Sequence, residues 1–84
     1  MEISNEGVLN AVRELTDVWC DRRCLVALRY ILKGYPLRND LTDGWADLLD
    51  ALQSTRAFAR EELTDGEIAT VGLIIAEVSK AVYR

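Results

Sequence analysis

The chain of 84 residues is long enough for one small domain, which we place at residues 1–84, and too short for two. Half of its residues are hydrophobic and 29% are charged, a balance typical of a folded chain and not of a disordered one. The net charge of −4 argues against general binding to nucleic acid or anionic membrane, because both require an excess of lysine and arginine.

The same composition argues against an enzyme. The sequence contains no histidine, which removes the usual general base and the common Ser–His and Cys–His nucleophile pairs. Its five glycines are scattered singly, so none forms a phosphate-binding loop. We therefore predict no catalytic residue, no cofactor, no metal and no small-molecule substrate.

The amino-terminal residues lack the basic region and the apolar run of a signal peptide. The longest strongly apolar stretch, 68–76, is about half the length that a membrane span needs. With these features and only two cysteines, the sequence predicts a cytoplasmic protein that does not associate with membranes.

A Leu-Thr-Asp pattern occurs three times, beginning at Leu15, Leu41 and Leu63. It is typical of a helix amino terminus, where the threonine hydroxyl accepts a hydrogen bond from a free backbone N–H and the aspartate meets the positive end of the helix dipole. In the third copy Glu67 also stands where a capping box requires it. The unequal spacing of the copies favours repeated capping over gene duplication.

These starts predict an all-α protein, a small four-helix bundle with helices at about 5–15, 17–33, 43–60 and 65–83. Gly34 is expected to end the second helix in a left-handed conformation, with Pro36 just beyond. The break near Thr16 rests on two apolar stripes. Val8, Val12, Leu15 and Trp19 form one stripe, whereas Cys20, Cys24, Leu28 and Ile31, flanked by Leu25 and Leu32, form another. The alternative is that the first two helices are continuous and serve two cores in an oligomer.

The third and fourth helices have clear apolar faces. The inner face of the third is expected to comprise Trp45, Leu48, Leu49, Leu52 and Ala59, with Phe58 packing near Leu63 at the next corner. The main face of the fourth comprises Ile68, Val71, Ile74, Ile75, Val78 and Val82. A second apolar face of the fourth helix comprises Ala69, Gly72, Leu73 and Ala76. Because a helix that is apolar nearly all round tends to be buried nearly all round, this helix is expected to lie centrally or at a homodimer interface formed by the second face.

Two small clusters contain side chains of the kind that bind metal ions. Cys20 and Cys24 lie four residues apart on an apolar face, so we expect them to fill the core. Zinc or an iron–sulfur cluster takes four ligands, which only a dimer could complete. Asp43, Asp47 and Asp50 form a stripe that we interpret as a solvated helix face, with a bound cation or basic partner as the alternative.

A basic and aromatic face of the second helix is the predicted partner-binding surface. It comprises Arg22, Arg23, Val26, Arg29, Tyr30 and Lys33. Interleaved arginine and aromatic residues suit protein interfaces and stacked bases. The alternative is that these arginines pair with acids of the other half of the chain, since residues 40–84 carry nine acids and four bases.

Together these features predict a non-catalytic protein–protein interaction or regulatory module that acts on a protein partner or on a second copy of itself. The alternative function is a nucleic-acid-linked regulator that binds through the same face of the second helix, which the net charge makes the weaker choice.

Overall fold

The computed structural model describes residues 5–35 and 42–82. These residues form four α-helices, α1 (Asn5–Asp21), α2 (Leu25–Ile31), α3 (Thr42–Phe58) and α4 (Asp65–Val82). A single 3₁₀ turn, Arg60–Glu62, joins α3 to α4. Helix α3 packs against both α2 and α4, and α1 packs against α2 and α4. The predicted all-α fold of four helices is confirmed.

The break between the first two helices lies later than predicted. Helix α1 continues through Thr16, whose buried hydroxyl donates a hydrogen bond of 2.8 Å to the carbonyl of Val12 one turn earlier. A threonine that bonds back in this way fits a helix interior, so the Leu-Thr-Asp pattern at Leu15 does not start a helix. The predicted ranges 5–15 and 17–33 are thus wrong. The prediction that the two helices are separate is confirmed.

A Schellman motif ends α1. The N–H of Cys24 donates to the carbonyl of Trp19 at 2.8 Å, and the N–H of Arg23 donates to the carbonyl of Cys20 at 3.1 Å. Arg23 has a φ of 58°, in the left-handed region that usually falls to glycine at this position. The sequence gives no signal for this turn because an arginine takes the place of the glycine.

The core follows the predicted apolar faces of the first, third and fourth helices. The predicted stripe of the second helix is buried only in part, since Cys24 and Ile31 are buried but Leu25 and Leu32 are exposed. Trp19, Leu48 and Leu52 are its largest fully enclosed side chains together with Ile31 and Ile74. The predicted inner residues of α3 are all buried. On α4 the main face is buried or packed against the core along its whole length. In the first predicted stripe, Val8, Val12 and Trp19 are buried, and Leu15 is partly buried and packs against the core.

Gly34 permits a close approach between α2 and α3. It was predicted to be a left-handed helix stop, but no glycine of the described residues has a positive φ. Gly34 is buried, and a Cβ atom added to it would lie 2.7 Å from the Cα of Leu48 and even closer to the carbonyl of Asp47. Glycine is therefore required at this position, because the α3 backbone leaves no space for a side chain.

We expect Gly34→Ala to lower the free energy of unfolding by about 1–3 kcal/mol, because the added methyl group must push α3 away. The matched control is Gly72→Ala in α4, where an added Cβ would meet only the flexible Arg56 guanidinium, at 3.7 Å, among the described residues outside its own helix backbone. That change should raise stability by up to about 1 kcal/mol. Urea denaturation measures both, and equal stability of Gly34→Ala and the wild type would contradict the steric explanation.

Candidate functional site

The six predicted partner-binding residues do not share one helix face. Because α2 begins at Leu25, Arg22 and Arg23 lie in the preceding turn and not on the helix. The other four, Val26, Arg29, Tyr30 and Lys33, lie on α2 or in the turn that follows it. The structure therefore separates the predicted surface into a corner built around Arg22 and an outer surface on α2.

Arg22 connects the α1–α2 turn to the start of α4. Its Nη1 donates to Oε2 of Glu67 at 2.6 Å, and its Nη2 donates to the backbone carbonyl of Glu62 at 2.5 Å. Nη2 also lies 3.5 Å from Sγ of Cys24. Of the two interpretations of this arginine, pairing with an acid of the other half is the one that the structure supports.

The two glutamates at this corner also cap helices. Oε1 of Glu62 accepts a hydrogen bond of 2.9 Å from the N–H of Ala27, in the first turn of α2, where Cys24 supplies no side-chain cap of its own. Glu67 accepts from the N–H of Thr64 at 2.9 Å, and its own N–H donates to the Thr64 hydroxyl at 3.1 Å. The predicted capping box of α4 is therefore confirmed, and α2 is capped from across the molecule.

The pKa of the Glu67 carboxyl is lowered. Partial burial by itself disfavours the charged form, but the hydrogen bond from Arg22, the Thr64 N–H and the Arg22 charge outweigh it. Trp19 makes the smallest contribution to lowering the pKa of Glu67. Its buried Nε1 forms no hydrogen bond of ordinary geometry within the described part of the chain. The hydrogen bond to Glu67 in turn raises the pKa of Arg22.

The two cysteines lie on opposite sides of the α1–α2 turn. Cys24 is buried, as predicted, with its Sγ 3.6 Å from the Glu62 carbonyl. Cys20 is exposed, so the prediction that it fills the core is wrong; the late break leaves it on the outer side of α1. Over residues 5–35 and 42–82, no group of three or more Cys, Asp or Glu residues could hold a metal ion.

The predicted acidic stripe of α3 is only partly described. Asp50 is exposed, whereas Asp47 is half-buried. The side chain of Asp43 lies outside the described part of the structure. Asp50 therefore fits the expected solvated face, and Asp47 fits it less well.

The α2 surface, as we name it, is a mixed apolar and basic patch. Its members are Leu25, Val26, Arg29, Tyr30, Leu32 and Lys33. Three of them are unusually exposed for aliphatic residues, namely Leu25 at 70%, Leu32 at 54% and Val26 at 40%. The sequence did not predict the exposure of Leu25 and Leu32, because both flank the predicted core stripe. Their position outside that stripe follows only from the observed start of α2.

The cations of the α2 surface lie close to its aromatic ring. The guanidinium carbon of Arg29 is 5.9 Å from the centre of the Tyr30 ring, and Nζ of Lys33 is 5.2 Å from it. Neither cation forms an ion pair with a carboxylate of the described residues.

Phe58 extends the α2 surface onto the end of α3. Its ring centre is 5.4 Å from that of Tyr30, yet the side chain is 67% exposed. Phe58 also borders an open cavity of about 440 Å³ between α3 and α4. The cavity is lined by Ala57, Phe58, Arg60, Glu61, Leu63, Asp65 and Ile68. Phe58 and Leu63 thus share this corner, as expected, but Phe58 stacks on α2 and is not enclosed.

The second apolar face of α4 is exposed in the single chain. Leu73 is 65% exposed, Ala69 and Ala76 are exposed, and Gly72 is half-buried. Helix α4 is therefore not central, and one of the two expected explanations for its composition is wrong. Self-association through this face stays a prediction.

No protein-family model matches the chain, and neither the curated proteins nor the solved structures compared with it are significantly similar. Within the described ranges no helix is long and apolar enough to cross a bilayer.

The lowered pKa of Glu67 predicts a pH-dependent contribution to stability. Because its folded pKa lies below the unfolded value of about 4.3, the contribution is complete above that pH and is lost as pH falls through the folded pKa. We expect Glu67→Gln to cost about 0.5–1 kcal/mol at pH 7, since glutamine keeps the Thr64 cap but loses the ion pair.

Urea denaturation measures the free energy of unfolding of the wild type and of Glu67→Gln from pH 7 down to pH 3. The difference between the two free energies should decrease only at acidic pH. In an Arg22→Gln background the same Glu67→Gln change should have a smaller effect at pH 7. A difference that is independent of pH and of Arg22 would contradict the assigned ion pair.

Light scattering during size exclusion tests the predicted self-association. We expect the apparent mass of the wild type to rise towards that of a dimer with concentration, and Leu73→Asp to hold it at the monomer mass, because a carboxylate would be buried in the interface. Phe58→Asp is the matched control at a similarly exposed site and should still associate. A wild type that stays monomeric at every concentration rules out this surface.

Proposed function

We propose that this chain is a non-catalytic protein-interaction module that binds an acidic partner protein through the α2 surface. The observation that carries the proposal is the combination of three exposed aliphatic side chains with two cations that lack a carboxylate partner among the described residues. Either feature alone is ordinary on a protein surface, but an apolar patch bordered by unpaired charge suits an interface.

The apolar part of the surface supplies the affinity in this proposal. Leu25 and Leu32 are more than half exposed, and burying a leucine side chain contributes about 1.5–3 kcal/mol when it starts fully exposed. Tyr30 adds an aromatic ring of the kind that is enriched at the centres of interfaces. A seven-residue helix with this composition therefore gains from being covered.

The charges determine the kind of partner. Residues 22–33 contain four basic residues and no acid, although the whole chain has a net charge of −4. Two copies joined through this surface around a twofold axis would bring like charges together, which disfavours self-pairing here. An acidic protein meets the cations with complementary charge, and electrostatic attraction would also speed its association.

The same count argues against nucleic acid as the partner. Of the four basic residues, Arg22 is already engaged by Glu67 and Glu62. The three that are left would release few counterions from a phosphate backbone, and the negative remainder of the chain would repel it.

Selection of short random peptides on the purified protein tests the proposal with a defined probe. We expect the selected peptides to be rich in Asp and Glu next to large apolar residues. Binding to a synthetic copy should weaken about tenfold or more in Arg29→Glu/Lys33→Glu, because attraction becomes repulsion. The matched double variant Arg13→Glu/Arg56→Glu changes the net charge equally at exposed sites on other helices and should bind nearly as well as the wild type.

Two kinds of result, one with peptides and one with an oligonucleotide, would overturn the proposal. One is a set of selected peptides without acidic residues, or equal binding by the two double variants. The other is binding of a single-stranded oligonucleotide that is tighter than any peptide, weakens steeply with salt and is lost in Arg29→Glu/Lys33→Glu, which would establish the alternative function.

A further inference from the structure

The cavity between α3 and α4 adjoins the α2 surface. Phe58 lines the cavity and its ring also stacks on Tyr30, so one aromatic pair borders both features. A partner segment that covers Tyr30 and Phe58 would therefore also border the cavity. We propose that this cavity is an anchor pocket, which accepts one large apolar side chain from the same acidic partner. The inference rests on the proposed function and adds the position and chemistry of the anchor.

The lining of the cavity suits an apolar side chain. Its lining includes the buried Leu63, the half-buried Ile68 and the exposed Phe58. Phe58 is one of the two most exposed large apolar side chains in the described part of the chain. An aromatic or aliphatic group placed against it would shield apolar surface that nothing within the described residues covers.

The charged residues around the cavity orient the partner. Its charged lining comprises Arg60 and Glu61 of the 3₁₀ turn and Asp65 at the start of α4. The two carboxylates outnumber the one cation, so the lining as a whole disfavours a further carboxylate inside. Arg29 and Lys33, which form no ion pair with the described residues, lie on the α2 side, around Tyr30. Charge complementarity therefore places the apolar residue of the partner in the cavity and its acidic residues over α2.

Two other occupants are chemically conceivable and become outcomes of the test. A basic side chain could reach Glu61 and Asp65 while its cation stacks on Phe58. A second copy of this chain could insert one of its own exposed residues. The first would make the preferred anchor basic, and the second would require dimer formation that depends on Phe58.

The test is an NMR titration of the isotopically labelled protein with single capped amino acids as probes. We expect N-acetyl-tryptophanamide to shift the backbone amides of Phe58, Leu63 and Ile68 in a saturable way. N-acetyl-argininamide and N-acetyl-glutamate amide should shift them much less. A stronger response to the arginine probe would overturn the inference, as would no saturable shift with the tryptophan probe.

Two variants and one control test whether the tryptophan probe binds in the cavity. Phe58→Ala removes the exposed wall, and Ala57→Trp fills the cavity from another exposed position, so each should abolish the shifts caused by the tryptophan probe. Leu73→Ala truncates an equally exposed apolar residue outside the cavity and should leave them unchanged. Shifts that persist in both cavity variants, or a dimer in wild type that Phe58→Ala dissociates, would overturn the inference.

A selected acidic peptide separates failure of the anchor from failure of the proposed function. Replacing its large apolar residue by serine should weaken binding to the wild type about tenfold, and should weaken binding to Phe58→Ala far less. If charge reversal on α2 abolishes peptide binding while this replacement has no effect, the α2 surface stands and the anchor pocket is wrong. If no acidic peptide is selected, the proposed function and the acidic partner fail together, whatever the tryptophan probe shows.

Discussion

The hydrogen bonds of Arg22 connect the α1–α2 turn to the segment before α4, two parts of the molecule that are far apart in the sequence. This side chain leaves the α1–α2 turn and reaches both the Glu62 carbonyl and the Glu67 carboxylate. Glu62 then caps the first turn of α2, and Glu67 forms the capping box of α4 with Thr64. The starts of α2 and α4 are thus linked through one guanidinium group and two glutamates.

This corner also determines which surfaces stay exposed. The turn at Arg23 redirects the chain, so that Ile31 and Ala27 face the core while the opposite side of the short helix α2 does not. Gly34 then lets the end of α2 lie directly on the α3 backbone. With α2 held at both ends, Leu25 and Leu32 face outward and Tyr30 meets Phe58.

The basic residues of this region fall into two groups with different physical roles. Arg22 is engaged by hydrogen bonds inside the molecule, where it contributes to the positions of α2 and α4. Arg29 and Lys33 lie near the Tyr30 ring and form no ion pair among the described residues. Only Arg29 and Lys33 therefore count towards a candidate binding surface, because a charge that is already paired inside the molecule contributes little to binding a partner.

The sequence by itself determined the helical class, the buried faces of α3 and α4 and the capping box at Thr64, because these depend on residues three or four positions apart on one helix. Tertiary structure decided the rest. Thr16 has the same local pattern as Thr64 but bonds back into α1, so the pattern alone could not locate the break. The pairing of Arg22 with residues forty or more positions away, and the exposure of Leu25, Leu32 and Phe58, depend on how the helices pack, which local spacing does not encode.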